Sequence, residues 1–414
     1  LTPSASPSLI PSLEPSVVPS EQPSTADWNQ KGPTIVGDLA GDLSGEALSI
    51  SSDGNVVAIG AKENNGAIGQ VRVYEWNDPN WSQRGTALVG DSSGDRFGSS
   101  VSLSHDGTIL AVGAKDHSGG GVARGRVKVY EWTGGPNWNQ RGGNMDGEAD
   151  DDDFGKSISL SCDGSRLAIG APFNDVGGTD AGHVRVYEWS NPNWIQMGLA
   201  ICGETAGDEF GSSVSLSYDG SILAVGAVRN SGGYIRKGRV QVYEWNAVSW
   251  NQKGGNMNGE AAHDFSGWSV SLSWDGLTVA VGAPYNDGGG GDSGHVRVYE
   301  YTTNWVPKGL DIDGHDYMDY FGWSVSLSYD GNKLAVGAPL DDDVGPYSGR
   351  VFVFAWSGSA WNPVASAIDG VAGGDKCGVS VALSGDGTTV AAGSPENDDN
   401  GASSGHVRIF HYQQ

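Results

Sequence analysis

The residues of this chain best suited to do chemistry are carboxylates at short spacing. Asp311-Ile312-Asp313-Gly314-His315-Asp316, with Asp319 following, sets acids around a glycine turn. Asp150-Asp151-Asp152-Asp153, with Asp146 and Glu148 nearby, forms a second acidic run. Calcium takes roughly six to eight oxygen ligands, so either run is a candidate cation loop. The expectation is a calcium site at Asp311, Asp313, Asp316 and Asp319, and another at Asp150 and Asp152. Neither run has the full EF-hand spacing, and a solvated acidic loop accounts for the same residues.

Other reactive types give no catalytic pattern. There is no HExxH and no G-x-S-x-G. His183, His295 and His406 recur at one repeat position, so they cannot converge on one metal. Cys162, Cys202 and Cys377 have no metal spacing, and their disulfide state stays open. Asn80-Trp81-Ser82 is a sequon for N-glycosylation at Asn80. Trp268, Trp274 and Trp323 fall outside the regular Trp positions and could stack on sugar rings.

These residues must be held by a framework, and composition bounds it. Of 414 residues, 66 are Gly and 17 are Pro, which disfavours helices. Fifteen Trp and 14 Tyr argue against a disordered chain. A formal charge of −26 leaves no basic face for nucleic acid. No apolar run is long enough for a transmembrane segment. With no initiator Met and no signal peptide, the sequence reads as a mature or trimmed segment.

Residues 1–26 are a low-complexity Pro/Ser-rich stalk or linker, with Pro3, Pro7, Pro11, Pro15, Pro19 and Pro23 at four-residue spacing. Such a tail is expected to be extended, with hydroxyls open to O-glycosylation. It resembles the Pro-Ser stalks of algal extracellular proteins.

Residues 27–414 repeat one unit seven times. Asp-Gly recurs at Asp53, Asp106, Asp163, Asp219, Asp275, Asp330 and Asp386, a period of about 55 residues. Each unit reads as four strands, A to D, with Asp-Gly as the A–B hairpin turn. Seven four-stranded units predict a seven-bladed all-β propeller, with a solenoid as the alternative. The chain opens on a lone strand D, Trp28 to Lys31, and ends on a strand C, Val407 to Tyr412. The first strand is therefore expected to complete the last blade. A further Asp recurs before every strand A: Asp42, Asp95, Asp152, Asp208, Asp264, Asp319 and Asp375. It is expected to accept backbone N–H groups in the turn.

Phe97-Gly98-Ser99-Ser100-Val101-Ser102-Leu103-Ser104, followed by Val112-Gly113-Ala114, resembles FG-GAP repeats. These form the propeller of integrin α subunits and of extracellular bacterial and algal proteins. The resemblance covers residues 27–414 and implies an extracellular location. Integrin-type repeats often place a D-x-D-x-D-G calcium loop between strands A and B. Here that hairpin is Ser-x-Asp-Gly, so those ligands have no counterparts.

About two thirds of the 50 acids fall in the D–A and B–C loops, which share one end of an up-and-down blade. This predicts an anionic loop face that attracts cations and basic partners. The functional expectation is a non-catalytic interaction or structural module for adhesion, matrix or appendage assembly, needing no cofactor unless calcium. Its partners would be extracellular proteins or glycans, and self-assembly is open. The alternatives are a calcium-assisted lectin-like module and a polysaccharide-active propeller enzyme.

Overall fold

The computed structural model describes residues 27–119, 122–231 and 235–413. The Pro/Ser segment 1–26 expected as a stalk lies outside the described residues.

In the second repeat, β-branched residues and Leu alternate with Ser and Ala, as half-buried strands require. Strand A is Phe97–Leu103, strand B Ile109–Ala114, strand C Arg126–Glu131 and strand D Asn139–Gln140. The same antiparallel meander recurs in seven sheets, giving a seven-bladed propeller. The outer strand is broken in two. After strand D, the short strand Met145–Asp146 rejoins the other end of strand C, with Arg126 opposite Asp146. Between the two segments Gly142 adopts φ +86°, a turn conformation that disfavours side chains. Asp27–Gln30 pairs with His406–Gln413, placing Trp28 opposite Tyr412, so the first strand completes the seventh blade.

Packing between blades explains the repeated glycines. At Gly98 (φ +88°) a Cβ would meet Gln70 O at 2.7 Å and Val71 Cγ2 at 2.9 Å in the previous blade. A Cβ on Gly60 would collide with the Gly98 carbonyl, so the Gly of one Gly-Ala faces the Gly of the next Phe-Gly. Larger residues there would push the blades apart. Around this contact the core fills with apolar side chains from adjacent blades, such as Val71, Val73, Phe97, Leu110 and Val112. Each fully buried side chain of this size contributes about 1.5–3 kcal/mol.

Serines on strand A stitch neighbouring blades in two ways. Ser100, Ser157, Ser213, Ser269, Ser324 and Ser380 donate from Oγ to the next blade's Gly carbonyl. Ser49, Ser102, Ser159, Ser215, Ser271 and Ser326 accept the next blade's Leu N–H.

The outer edge is tied by the regular Trp set. Trp81, Trp138, Trp194, Trp250, Trp305 and Trp361 donate from Nε1 to a backbone carbonyl of the preceding blade. Cations add to it: Arg84 lies 5.1 Å from the Trp132 ring and Arg141 lies 4.8 Å from the Trp189 ring.

Candidate functional site

The two ends of the propeller differ in chemistry. At one end stand the Ser-x-Asp-Gly hairpins. In each, the Ser hydroxyl donates to the Asp carboxylate and accepts the N–H five residues on, as Ser104 does with Asp106 (2.7 Å) and Ile109 (2.9 Å). The Asp residues are thereby turn formers. Partial burial works against ionisation of Asp106, yet hydrogen bonds from Thr108 and Ser104 outweigh it and hold the carboxyl below its usual range.

The x residues form a closed ring. Backbone N–H to carbonyl bonds run Ser52 to His105, Cys162, Tyr218, Trp274, Tyr329, Gly385 and back to Ser52, each 2.8–2.9 Å. Their side chains cluster over the axis. Tyr218 stacks on Trp274 at 3.8 Å, and His105 Nδ1 is 2.8 Å from Tyr329 Oη. A cavity of about 230 Å³ lies beneath them. Burial pushes the Cys162 thiol up to about 11, so it stays protonated at neutral pH.

At the other end lie the D–A and B–C loops. Arg96 in a D–A loop binds Glu63 and Asp116 of two B–C loops, each at 2.8 Å, so the two loop types stand side by side. Every recurrent Asp before strand A is buried. Each accepts turn N–H groups, as Asp42 does from Leu39, Asp152 from Ala149 and Asp319 from Asp316. Asn64 and Asn174 on the B–C loops donate to Asp42 and Asp152.

The acidic runs are split among several partners. Asp150 is exposed and meets Arg124 Nε at 2.9 Å. Asp146 pairs with Arg126 and Glu148 with Arg185. Asp152 is buried in its turn. In the second run, Asp311 accepts from Arg297 Nη2 at 2.7 Å. Asp313 lies opposite His295 on the short strand Ile312–Asp313. Asp316 is exposed, whereas Asp319 is buried. Strand C supplies many of these cations, whose side chains reach into the D–A loops, so a charge count confined to loops misses them.

Among the described residues, two groups of three side chains bring metal-ligating atoms within 4.8 Å: Asp91, Asp95 and His117, and Glu260, His295 and Asp311. Both already hold cations. Asp91 pairs with Arg126 (2.8 Å) and Lys128 (2.6 Å), and Arg297 joins Glu260 to Asp311. Burial lowers the imidazoles of His183, to about 4, and of His295 and His406, which disfavours the charged form of each.

With blades numbered in chain order from the one whose strand A is Ala47–Ile50, blades 5 and 6, with strands A at Ser269–Leu272 and Ser324–Leu327, break the symmetry of the loop end. Trp268 and Trp323 pack at 4.6 Å, Tyr285 and Tyr320 at 4.8 Å, and Phe265 and Tyr285 at 5.0 Å. All five rings are partly exposed. Beside them a pocket of about 370 Å³ is lined by Tyr320, Trp323, Pro339 and Leu340, with two ion pairs, Lys62–Glu46 and Lys376–Glu396. Trp274 lies at the opposite end, in the aromatic ring over the axis. The sequence signal for Trp268 and Trp323 was their irregular position. Phe265, Tyr285 and Tyr320 were missed, although they too depart from the repeat.

The family model described as FG-GAP repeat matches residues 258–299 and 312–354. These segments are FG-GAP repeats. They hold the strand B–C hairpins of blades 5 and 6, and the Gly and Asp-Gly spacing of these two repeats recurs in the other five. No curated protein matches the chain. Among the described residues no helix is long and apolar enough to cross a membrane. Asn80 is exposed on the outer strand Asn80–Gln83. The three cysteines are free thiols.

Proposed function

We propose that this FG-GAP propeller is an extracellular, non-catalytic interaction module that meets its partner through the D–A and B–C loop end. The observation that carries the reading is the aromatic cluster of Phe265, Trp268, Tyr285, Tyr320 and Trp323 beside the pocket with two ion pairs. Partly exposed aromatic rings next to fixed charged groups suit a protein or glycan surface, because rings supply contact area and ion pairs supply directed hydrogen bonds. The resemblance to integrin-like propellers supports an adhesive or matrix role. The surrounding acids favour basic partners at low ionic strength.

The test is binding of the intact protein to a glycan array and to immobilised extracellular-matrix extract. The wild type should bind, and Trp268→Ala and Trp323→Ala should each lose at least about tenfold in affinity. Binding unchanged in both variants would discard the site. Turnover of a polysaccharide by the pure protein would discard the non-catalytic reading.

A calcium-assisted form of the same module is favoured by one feature of blade 6. Asn64 and Asn174 donate to the buried turn Asp of their blades, but the matching B–C loop residue in blade 6 is Asp341. Asp341 and Asp319 are both buried and repel each other. A hard cation would relieve that repulsion. Calcium should then raise the melting temperature, and Asp341→Asn should abolish the response.

A further inference from the structure

The seven blades offer an internal comparison at their outer edges. In blade 1, Arg72 on strand C reaches back to the D–A loop, donating from Nη1 to Asp38 Oδ1 at 2.6 Å and from Nη2 to Val36 O at 2.9 Å. Its guanidinium lies 5.7 Å from the Tyr74 ring. The next four blades repeat the clamp. Lys128 meets Asp91 at 2.6 Å, Arg185 meets Glu148, Gln241 meets Glu204 at 3.1 Å, and Arg297 meets Glu260.

Blade 6 has lost both members. Phe352 stands opposite Val336 where Arg72 stands opposite Ile59. His315 follows Gly314 where Asp38 follows Gly37. Between the outer edges of blades 5 and 6 lies a cavity of about 340 Å³. Its walls include Phe321, Phe352, Phe354 and Trp361, and Asp311, Asp313 and His315 also line it. The equivalent cleft in blade 1, about 300 Å³, has Arg72 and Asp38 in its own lining.

The charge is also left open there. Asp311 is satisfied by Arg297, but Asp313 is 48% exposed and its nearest cationic type is His295, 4.0 Å away. Burial disfavours the charged form of His295. Arg350 lies 5.7 Å from the Phe352 ring, but Asp343 and Asp369 hold it and it does not line the cavity.

We infer that this cleft receives an arginine side chain from a partner polypeptide. The incoming guanidinium takes the place that Arg72 fills in blade 1. It pairs with Asp313 and stacks on the aromatic walls, two contacts that favour guanidinium over ammonium. The inference does not rest on the aromatic cluster at the loop end.

The probe is N-acetyl-arginine methylamide titrated into the intact protein. The reporter is the Trp361 indole N–H resonance, fixed by its 2.8 Å bond to Lys308 O. A saturable shift in the millimolar range is expected. Asp313→Asn should weaken it several-fold, and the double variant Phe352→Arg with His315→Asp should abolish it by restoring the internal clamp. That variant copies blade 1, and an unchanged circular dichroism spectrum would verify its fold. Trp323→Ala should bind the probe as the wild type does, which separates this cleft from the loop-end site. The inference is overturned if no saturable shift occurs, if the citrulline or norleucine amide binds equally well, or if the folded double variant still binds.

Discussion

Ser380 Oγ donates to the Gly45 carbonyl at 2.6 Å, joining the last blade to the first across 335 residues of chain. The bond repeats the Ser-to-Gly stitch of the other junctions, with one exception. Ala47 stands where Ser100 stands in the second blade, so the Gly98 carbonyl lacks this donor. Ser380→Ala should therefore cost about 1–2 kcal/mol, and Ala47→Ser should add about 0.5–1.5 kcal/mol. Urea unfolding of both variants checks the pair. Equal midpoints for all three proteins would show that the stitches carry no net stability.

Asp341 gives a pH-dependent prediction. Burial, with repulsion from Asp319 and Asp343, pushes its carboxyl up to about 6. Because this folded value exceeds the unfolded one, the fold gains stability as pH drops from 7 through about 6, until the unfolded carboxyl also protonates near pH 4. Asp341→Asn should stabilise the protein by about 1–2 kcal/mol at pH 7, after allowing for solvent screening and the nearby Arg350. The advantage should vanish near pH 4. Thermal melts across this range, in chelator, test the sign.

The hairpin acids act the other way. Partial burial opposes ionisation of Asp53, Asp106, Asp163, Asp219, Asp330 and Asp386, but hydrogen bonds outweigh it and lower each carboxyl. Their stabilisation is present above the unfolded carboxyl range and is lost as pH falls through the lowered folded values. Acid unfolding should therefore steepen below about pH 4. Asp106→Ala should cost about 1 kcal/mol at pH 7, after allowing for its exposure. It should also shallow the acid transition, followed by circular dichroism.

The regular tryptophans are structural, unlike Trp268 and Trp323. Trp138 Nε1 donates to Arg84 O at 2.9 Å, and its ring is buried. Trp138→Phe should lose about 1–3 kcal/mol from the unsatisfied carbonyl and lost packing. Binding at the loop end should be unchanged in the folded variant.

Seven blades, the four-strand meander and ring closure by the first strand were all legible in the sequence. Local chemistry wrote them: Asp-Gly fixes each hairpin, and alternation of Ser with Val or Leu fixes each inner strand. The repeated glycines could be located but not explained, since their reason is the approach of a neighbouring blade about 40–55 residues away in the chain, as between Gly60 and the Gly98 carbonyl. The recurrent turn Asp residues were also readable, because their partners lie within the same turn.

The candidate sites were less legible. Asp311 and Asp313 look like one ligand set in sequence, yet Arg297 takes the first and the second lies opposite His295. Whether a carboxylate is open depends on which cation strand C turns toward it, and that is settled by blade packing. The aromatic cluster has the same origin: Phe265, Tyr285 and Tyr320 are scattered in sequence and meet only where two blades adjoin. The sequence determined the architecture because strands and turns are encoded by neighbours in the chain. Tertiary structure alone decided which side chains remain unpaired, because pairing depends on contacts between blades.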